Sequence, residues 1–118
     1  MIKYGIFAKI KPGGYMNRVA LQWTYSADII NVPDTIAENI NDYQRKFDQW
    51  LYDKNNQHGY WATFQSEEGS STCVMFGSEA FINWLNDYIL AEVDEKVTFE
   101  LKDIQLSDKY KALPLIYF

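Results

Sequence analysis

The order of two hydrophobic periodicities along the chain is the feature that most restricts its fold. Residues 2–11, "IKYGIFAKIK", and residues 18–25, "RVALQWTY", alternate apolar and polar side chains. A period of two is typical of a β-strand with one buried face. The segment "PGGY" at residues 12–15 separates the two runs and favours a turn. The first quarter of the chain therefore predicts a β-hairpin.

The period then changes to that of an α-helix. The apolar positions on one stripe are Ile36, Ile40, Tyr43, Phe47 and Leu51. Thr35 and Glu38 have the spacing of a capping box, in which hydroxyl and carboxylate each accept a hydrogen bond from a free backbone amide. A helix is therefore predicted to begin near Thr35 and to end near Asp53, where a polar loop follows.

A second β-hairpin, again followed by a helix, is predicted after the loop. Residues 60–65, "YWATFQ", and 71–76, "STCVMF", flank a turn in which Gly69 supplies a positive φ. A second helix is expected after Gly77, with Ser78 as its cap. Residues 96–104, "KVTFELKDI", predict a fifth strand, and the apolar residues 112–118 predict a short edge strand or a segment packed under a helix.

The two predicted helices share a short pattern. "FDQWL" at residues 47–51 and "FINWL" at residues 81–85 both place Phe and Leu four residues apart. That spacing puts both side chains on one helical face, and Trp, three residues after Phe, widens the face. The polar residue before each Trp falls on the outer side. We interpret the repeat as two copies of a packing surface rather than as a divided catalytic motif.

These elements predict one α+β domain spanning residues 1–118. The predicted order is ββαββαβ. It corresponds to a largely antiparallel sheet of about five strands with two helices packed on one face.

Charge is distributed unevenly along this chain of net charge −5. Residues 25–95 carry thirteen acidic side chains and only three basic ones, Arg45, Lys46 and Lys54. Nucleic acid is not an expected partner, because phosphate binding needs clustered Lys and Arg. The acidic region fits a basic protein partner, and a solvated, solubilising surface is the alternative interpretation.

The cellular setting follows from what the sequence contains. Cys73 is the only cysteine, so an internal disulfide is excluded and a reducing cytoplasm is expected. No apolar run is long enough to cross a membrane, and the first residues do not resemble a signal peptide. No spacing typical of a metal or cofactor site occurs, so none is expected.

Catalysis is the minor alternative. His58 is the only histidine and the natural candidate for a general base. A nucleophile–base pair with Cys73 requires the second hairpin to bring the two residues together. The carboxylate pairs, such as Glu67 and Glu68, lie at positions expected to be hydrated. We therefore predict a non-catalytic protein.

The small size, the acidity and the segments "FDQWL" and "MFGSEAFINWLN" resemble the immunity proteins of bacterial polymorphic and contact-dependent toxin systems. The resemblance implies a protein that binds the catalytic domain of a toxin, for example a nuclease, and blocks its active site. Charge and loop positions indicate a contact surface formed by Asp42, Asp48, Asp53, Trp61, Glu67 and Glu68. A phage-type inhibitor or a DNA mimic is a second interpretation, and a small enzyme using His58 is a third.

Overall fold

A computed structural model describes residues 16–118. The predicted strand at residues 2–11, and its pairing with the next strand, lie outside the described residues. The strands are β1 (Met16–Gln22), β2 (Ala27–Pro33), β3 (Trp61–Ser66), β4 (Gly69–Val74), β5 (Thr98–Ile104) and β6 (Leu115–Tyr117). The helices are α1 (Asp34–Glu38), α2 (Ile40–Leu51) and α3 (Ser78–Trp84), which a π-helical turn at Leu85–Ile89 continues; a 3-10 turn spans Asp108–Tyr110. The predicted α+β class is confirmed.

The strands of residues 16–118 form two separate sheets rather than one sheet of five. Four strands pair in the order β5-β2-β1-β6, and β3 pairs with β4 alone. Strand β1 is antiparallel to β2, and β2 is antiparallel to β5, but β1 and β6 are parallel. The main sheet is therefore mixed, and the predicted strand number and ββαββαβ order are wrong in detail.

Strand β2 was not predicted because it does not alternate. It lies between β1 and β5, and Ile29 and Ile30 are both fully buried although they are consecutive. The pairing with β5 shifts register on both sides of Ile29. Such an irregularity disrupts the period of two. Pro33 and the polar side chains within the run further weaken the sequence pattern that would predict a strand.

The first predicted helix is divided at Asn39, between α1 and α2. Its predicted apolar stripe is confirmed, since Ile36, Ile40, Phe47 and Leu51 are buried. The predicted capping box is wrong, because Pro33 occupies the cap position and no side chain caps the helix. The Asn39 side chain instead donates a hydrogen bond to the Thr35 carbonyl at 3.0 Å. The backbone leaves helical geometry there, with φ −126° and ψ 28°.

The repeated Phe–Trp–Leu pattern forms the centre of the core, as predicted. Phe47, Leu51, Phe81 and Leu85 are fully buried, and they share one cluster with apolar residues of β1, β2 and β6. The two copies also contact each other directly, because the Phe47 ring lies 5.2 Å from the Phe81 ring between centroids. The helices therefore contact each other through aromatic packing and contact the main sheet through the shared apolar cluster.

The C-terminal segment is both an edge strand and part of the core. Strand β6 pairs with Ala20–Gln22 of β1, and Ile116 is buried. Phe118 packs against Trp23, with ring centroids 4.9 Å apart. Tyr117, by contrast, is exposed.

Candidate protein-interaction surface

The loop between α2 and β3 is attached to the end of α2 by His58. The Nε2 atom of His58 lies 2.7 Å from the Leu51 carbonyl oxygen, and the Tyr60 backbone amide donates to Nδ1 at 3.2 Å. Since Nδ1 accepts, the proton of the neutral ring lies on Nε2, which donates to Leu51. His58 thereby satisfies a carbonyl in the last turn of the helix that has no helical partner.

The rings of two tryptophans pack against the His58 ring. The His58 ring centroid lies 4.8 Å from that of Trp50 and 5.2 Å from that of Trp61. The Trp61 Nε1 atom donates to the Asn56 carbonyl at 2.8 Å, and the Asn56 side chain donates to the Trp50 carbonyl at 2.7 Å. The loop therefore presents a fixed aromatic base from which the hairpin of β3 and β4 begins.

The hairpin extends from this base into solvent. In β3 only Trp61 and Ala62 are partly buried, and in β4 only Val74 is. Gly69 has φ 118°, which confirms the positive φ expected in the turn. Phe64 is 47% exposed, because its cross-strand partner Ser71 is too small to cover it. An isolated two-stranded hairpin is marginally stable in water, so this element depends on its base.

The hairpin lies within a strongly acidic part of the chain. Residues 55–95 contain seven acidic side chains and neither Lys nor Arg. Glu67 and Glu68 form the tip and are exposed. Within residues 16–118, the ion pairs join Arg18 to Glu100, Arg45 to Asp42, and Lys111 to Asp108. The two tip carboxylates therefore have no cationic side-chain partner in the described part of the protein.

The six predicted contact residues fall into separate groups. Asp53 and Trp61 lie at the base of the hairpin, and Glu67 and Glu68 lie at its tip. Five residue steps along β3 separate Trp61 from the start of the turn, a distance of about 17 Å. Asp42 lies in the first turn of α2, about 14 Å along the helix from its C-terminal end, and Asp48 lies about one turn before that end.

The aspartates in this region have different surroundings. The Arg45 guanidinium lies 2.7 Å from an oxygen of Asp42, which offsets the charge of that residue. The Asp53 carboxylate accepts a hydrogen bond from the Asn55 backbone amide at 2.9 Å. Asp48 is half-buried, and desolvation raises the pKa of its carboxyl above the ordinary value of 3.8. The charge of Asp42 is therefore partly offset, whereas Glu67 and Glu68 have no cationic partner among the described residues.

Exposed aromatic residues near the hairpin base extend this surface beyond the predicted set. Tyr88 is 61% exposed, and its ring lies 5.6 Å from that of Trp50. Tyr52 is also exposed, at the end of α2. A regular α-helical period continued from Trp84 would place Tyr88 on the buried face. The π-helical turn at Leu85–Ile89 changes the direction of the side chains there, so that period no longer holds.

The geometry does not form the His58–Cys73 pair considered for catalysis. Both ring nitrogens of His58 bond backbone groups, and Cys73 is exposed on β4 opposite Ala62. In this arrangement the imidazole has no free lone pair for a substrate proton. In the part of the chain covered by residues 16–118, no three His, Cys, Asp or Glu side chains converge as metal ligands would.

A polar network that sequence reasoning missed joins α3 to the main sheet. The Ser78 hydroxyl accepts a hydrogen bond from Trp23 Nε1 at 2.7 Å and donates one to the Asp28 carboxylate. The other Asp28 oxygen accepts from the Asp103 amide at 2.9 Å. Ser78 was predicted to cap α3, but Gly77 holds the cap position and no side-chain cap forms. The residues lie far apart in the sequence, so no local pattern could identify the network.

A cavity of about 340 Å³ opens beside this network. The lining includes Trp23, Glu79 and Lys102. Since the Ser78 hydroxyl and Asp28 carboxylate already bond each other and their neighbours, we assign these groups a structural role.

Comparisons of this chain with known proteins found no match. No protein-family model matches it, and neither a curated protein nor a solved structure matches it significantly. Among the helices at residues 16–118, none is long and apolar enough to cross a bilayer. Interpretation of the surface therefore depends on its geometry and charge.

Proposed function

We propose that this chain is a non-catalytic binding protein of the immunity type, which binds a basic toxin domain through the hairpin of β3 and β4 and its aromatic base. The observation that carries the proposal is the exposed hairpin, which projects two carboxylates without cationic partners in the described residues. An acidic tip of this kind attracts a positively charged surface and accelerates encounter with it.

The base of the hairpin supplies the second requirement of a binding surface, which is rigidity. Hydrogen bonds from His58, Asn56 and Trp61 hold the loop in one conformation before any partner arrives. A preorganised surface loses less conformational entropy on association. Tyr88 is exposed beside Trp50 and provides a large, rigid contact group of the kind common at interface hot spots.

The test begins with affinity capture on the immobilised full chain, followed by identification and purification of the captured protein. Calorimetry at low and high salt then compares the wild type with the double variant Glu67→Gln/Glu68→Gln. We expect the variant to bind about tenfold more weakly at low salt and to lose much of the salt dependence. The matched control is Asp94→Asn/Glu95→Gln, which removes the same charge from another exposed pair and should change affinity by less than about twofold.

A growth assay tests the immunity role itself. The captured protein should arrest growth when expressed alone, and coexpression with the wild-type chain should restore growth. A partner whose binding ignores both salt and the Glu67 and Glu68 substitutions would exclude the proposed surface. A partner that is harmless when expressed alone would exclude the immunity role.

A further inference from the structure

The outer edge of β4 has backbone groups that pair with no other strand of residues 16–118. The Met75 amide donates to the Tyr60 carbonyl at 2.9 Å, immediately beyond the pair of Trp61 and Val74. In an antiparallel ladder, hydrogen-bonded and non-hydrogen-bonded pairs alternate. The amides and carbonyls of Ser70, Thr72 and Val74 therefore point away from β3.

This edge lacks the devices that protect exposed strands. Strand β4, with the sequence "GSSTCV", contains no charged residue and no proline, and its side chains are small. Its pairing with β3 shows no register shift. Protected edges usually carry a lysine, a proline or a bulge. Among the described residues β4 pairs with β3 only, and none of the described strands occupies its outer edge.

A surface cavity lies on one face of the hairpin, beside Trp61 of β3 and Thr72 of β4. The cavity measures about 340 Å³ and is lined by Lys54, Gln57, Trp61 and Thr72. Trp61 and Thr72 lie on the same face of the hairpin, because each belongs to a non-hydrogen-bonded pair of the ladder. In strand addition, backbone hydrogen bonds supply affinity, and pockets for alternate side chains supply specificity.

Charge decides which occupant fits. An added strand runs along β4 toward or away from Glu67 and Glu68, the only charged side chains at residues 61–74, whereas Lys54 lines the cavity near Trp61, at the other end of the hairpin. A second copy of this chain would bring the same acidic region to the edge, whereas a basic segment would complement it. We infer that the outer edge of β4 accepts an extended basic segment of a protein partner as a third strand. This inference rests on the proposed function and specifies its binding mode.

The experiment titrates the full, isotope-labelled chain with an alternating lysine–valine peptide whose ends are blocked, and follows backbone amides by NMR. An alternating glutamate–valine peptide is the control for charge. We expect the lysine peptide to shift the amides of Ser70, Thr72 and Val74 and to slow their hydrogen exchange. The amides of Thr63 and Gln65, which point outward from β3, should change little.

Two matched proline variants test the edge independently. Thr63 and Thr72 are cross-strand partners, so Thr72→Pro and Thr63→Pro remove one outward amide each from opposite edges. Thr72→Pro should weaken peptide binding about tenfold, and Thr63→Pro should change it by less than about threefold. If a proline variant unfolds the hairpin, the amide mapping on the wild-type chain still decides the question.

The inference is wrong if the two peptides bind equally well or if neither binds. It is also wrong if the amide shifts are confined to β3 or to another surface. Amide shifts at β4 that grow with protein concentration alone would identify a second copy as the occupant. In each of these cases affinity capture and the Glu67 and Glu68 variants still test the proposed function, so the two failures are distinguishable.

Discussion

The imidazole of His58 lies nearly parallel to the indole of Trp61, with ring centroids 5.2 Å apart and 9° between the planes. The same imidazole bonds the Leu51 carbonyl in the last turn of α2. His58 therefore connects the helix to the first residue of the hairpin. The residue that the sequence singled out as a candidate base acts, in this geometry, as a structural junction.

We predict that His58→Ala lowers the free energy of unfolding by about 2 kcal/mol, because it removes two hydrogen bonds and the contacts with Trp50 and Trp61. Urea denaturation followed by tryptophan fluorescence measures the change. The neighbouring exposed residue provides the control, and Gln57→Ala should lie within about 0.5 kcal/mol of wild type. A His58→Ala protein of unchanged stability that had lost its function would instead favour a catalytic role.

Ser78→Ala is expected to destabilise the fold by about 2 kcal/mol. Ser78 is only 4% exposed, and its loss leaves the Trp23 indole without an acceptor and removes one of the two hydrogen bonds to the Asp28 carboxylate. Ser71→Ala, at an exposed position in β4, is the matched control and should be nearly neutral. Equal melting temperatures for the two variants would show that the network contributes nothing to stability.

The two asparagines of "FINWLN" offer a paired test within one helical segment. The Asn86 side chain accepts from the Val97 amide at 2.7 Å and donates to the Val97 carbonyl at 3.0 Å, whereas Asn83 is exposed. Asn86→Ala should lower the free energy of unfolding by about 1–2 kcal/mol, because it leaves both backbone groups of Val97 unpaired.

Asn83→Ala should be neutral or slightly stabilising, since alanine favours a helix. Thermal denaturation of both proteins at one pH makes the comparison. A greater loss for Asn83→Ala would contradict the assignment of Asn86 as the bridge to Val97.

The free energy of unfolding should depend on pH through the protonation of Asp48. Burial raises the pKa of this carboxyl above 3.8, so the folded protein binds the proton more tightly than the unfolded chain. The resulting stabilisation is fully present below pH 3.8 and is lost as the pH rises through the raised pKa. Asp48→Asn should therefore be more stable than wild type at neutral pH, and the difference should disappear in acid.

Urea midpoints measured from neutral to acidic pH test this expectation. Asp42→Asn is the control, because it removes an ion pair with Arg45 and should give no gain in stability at neutral pH. A neutral-pH gain for Asp42→Asn, or a loss for Asp48→Asn, would show that desolvation does not govern Asp48.

The sequence by itself determined the α+β class, the apolar stripe of the first helix, the buried Phe–Trp–Leu pattern and the glycine in the hairpin turn. These features depend on periodicity and on local backbone preference, which neighbouring residues encode. Strand β2 was not predicted for the same reason. Ile29 and Ile30 are consecutive and both buried, so the strand does not show the alternation that predicts a strand.

Only the tertiary structure decided that the hairpin does not pair with the main sheet within residues 16–118 and that β6 runs parallel to β1. It also decided that both ring nitrogens of His58 form hydrogen bonds with backbone groups. It also distributed the predicted contact residues among α2, the base of the hairpin and the tip of the hairpin. Each of these results depends on atoms that folding brings together from distant parts of the chain, or keeps apart. Local sequence patterns do not encode such distances, so the sequence predicted the elements and the fold decided which of their groups remained available for a partner.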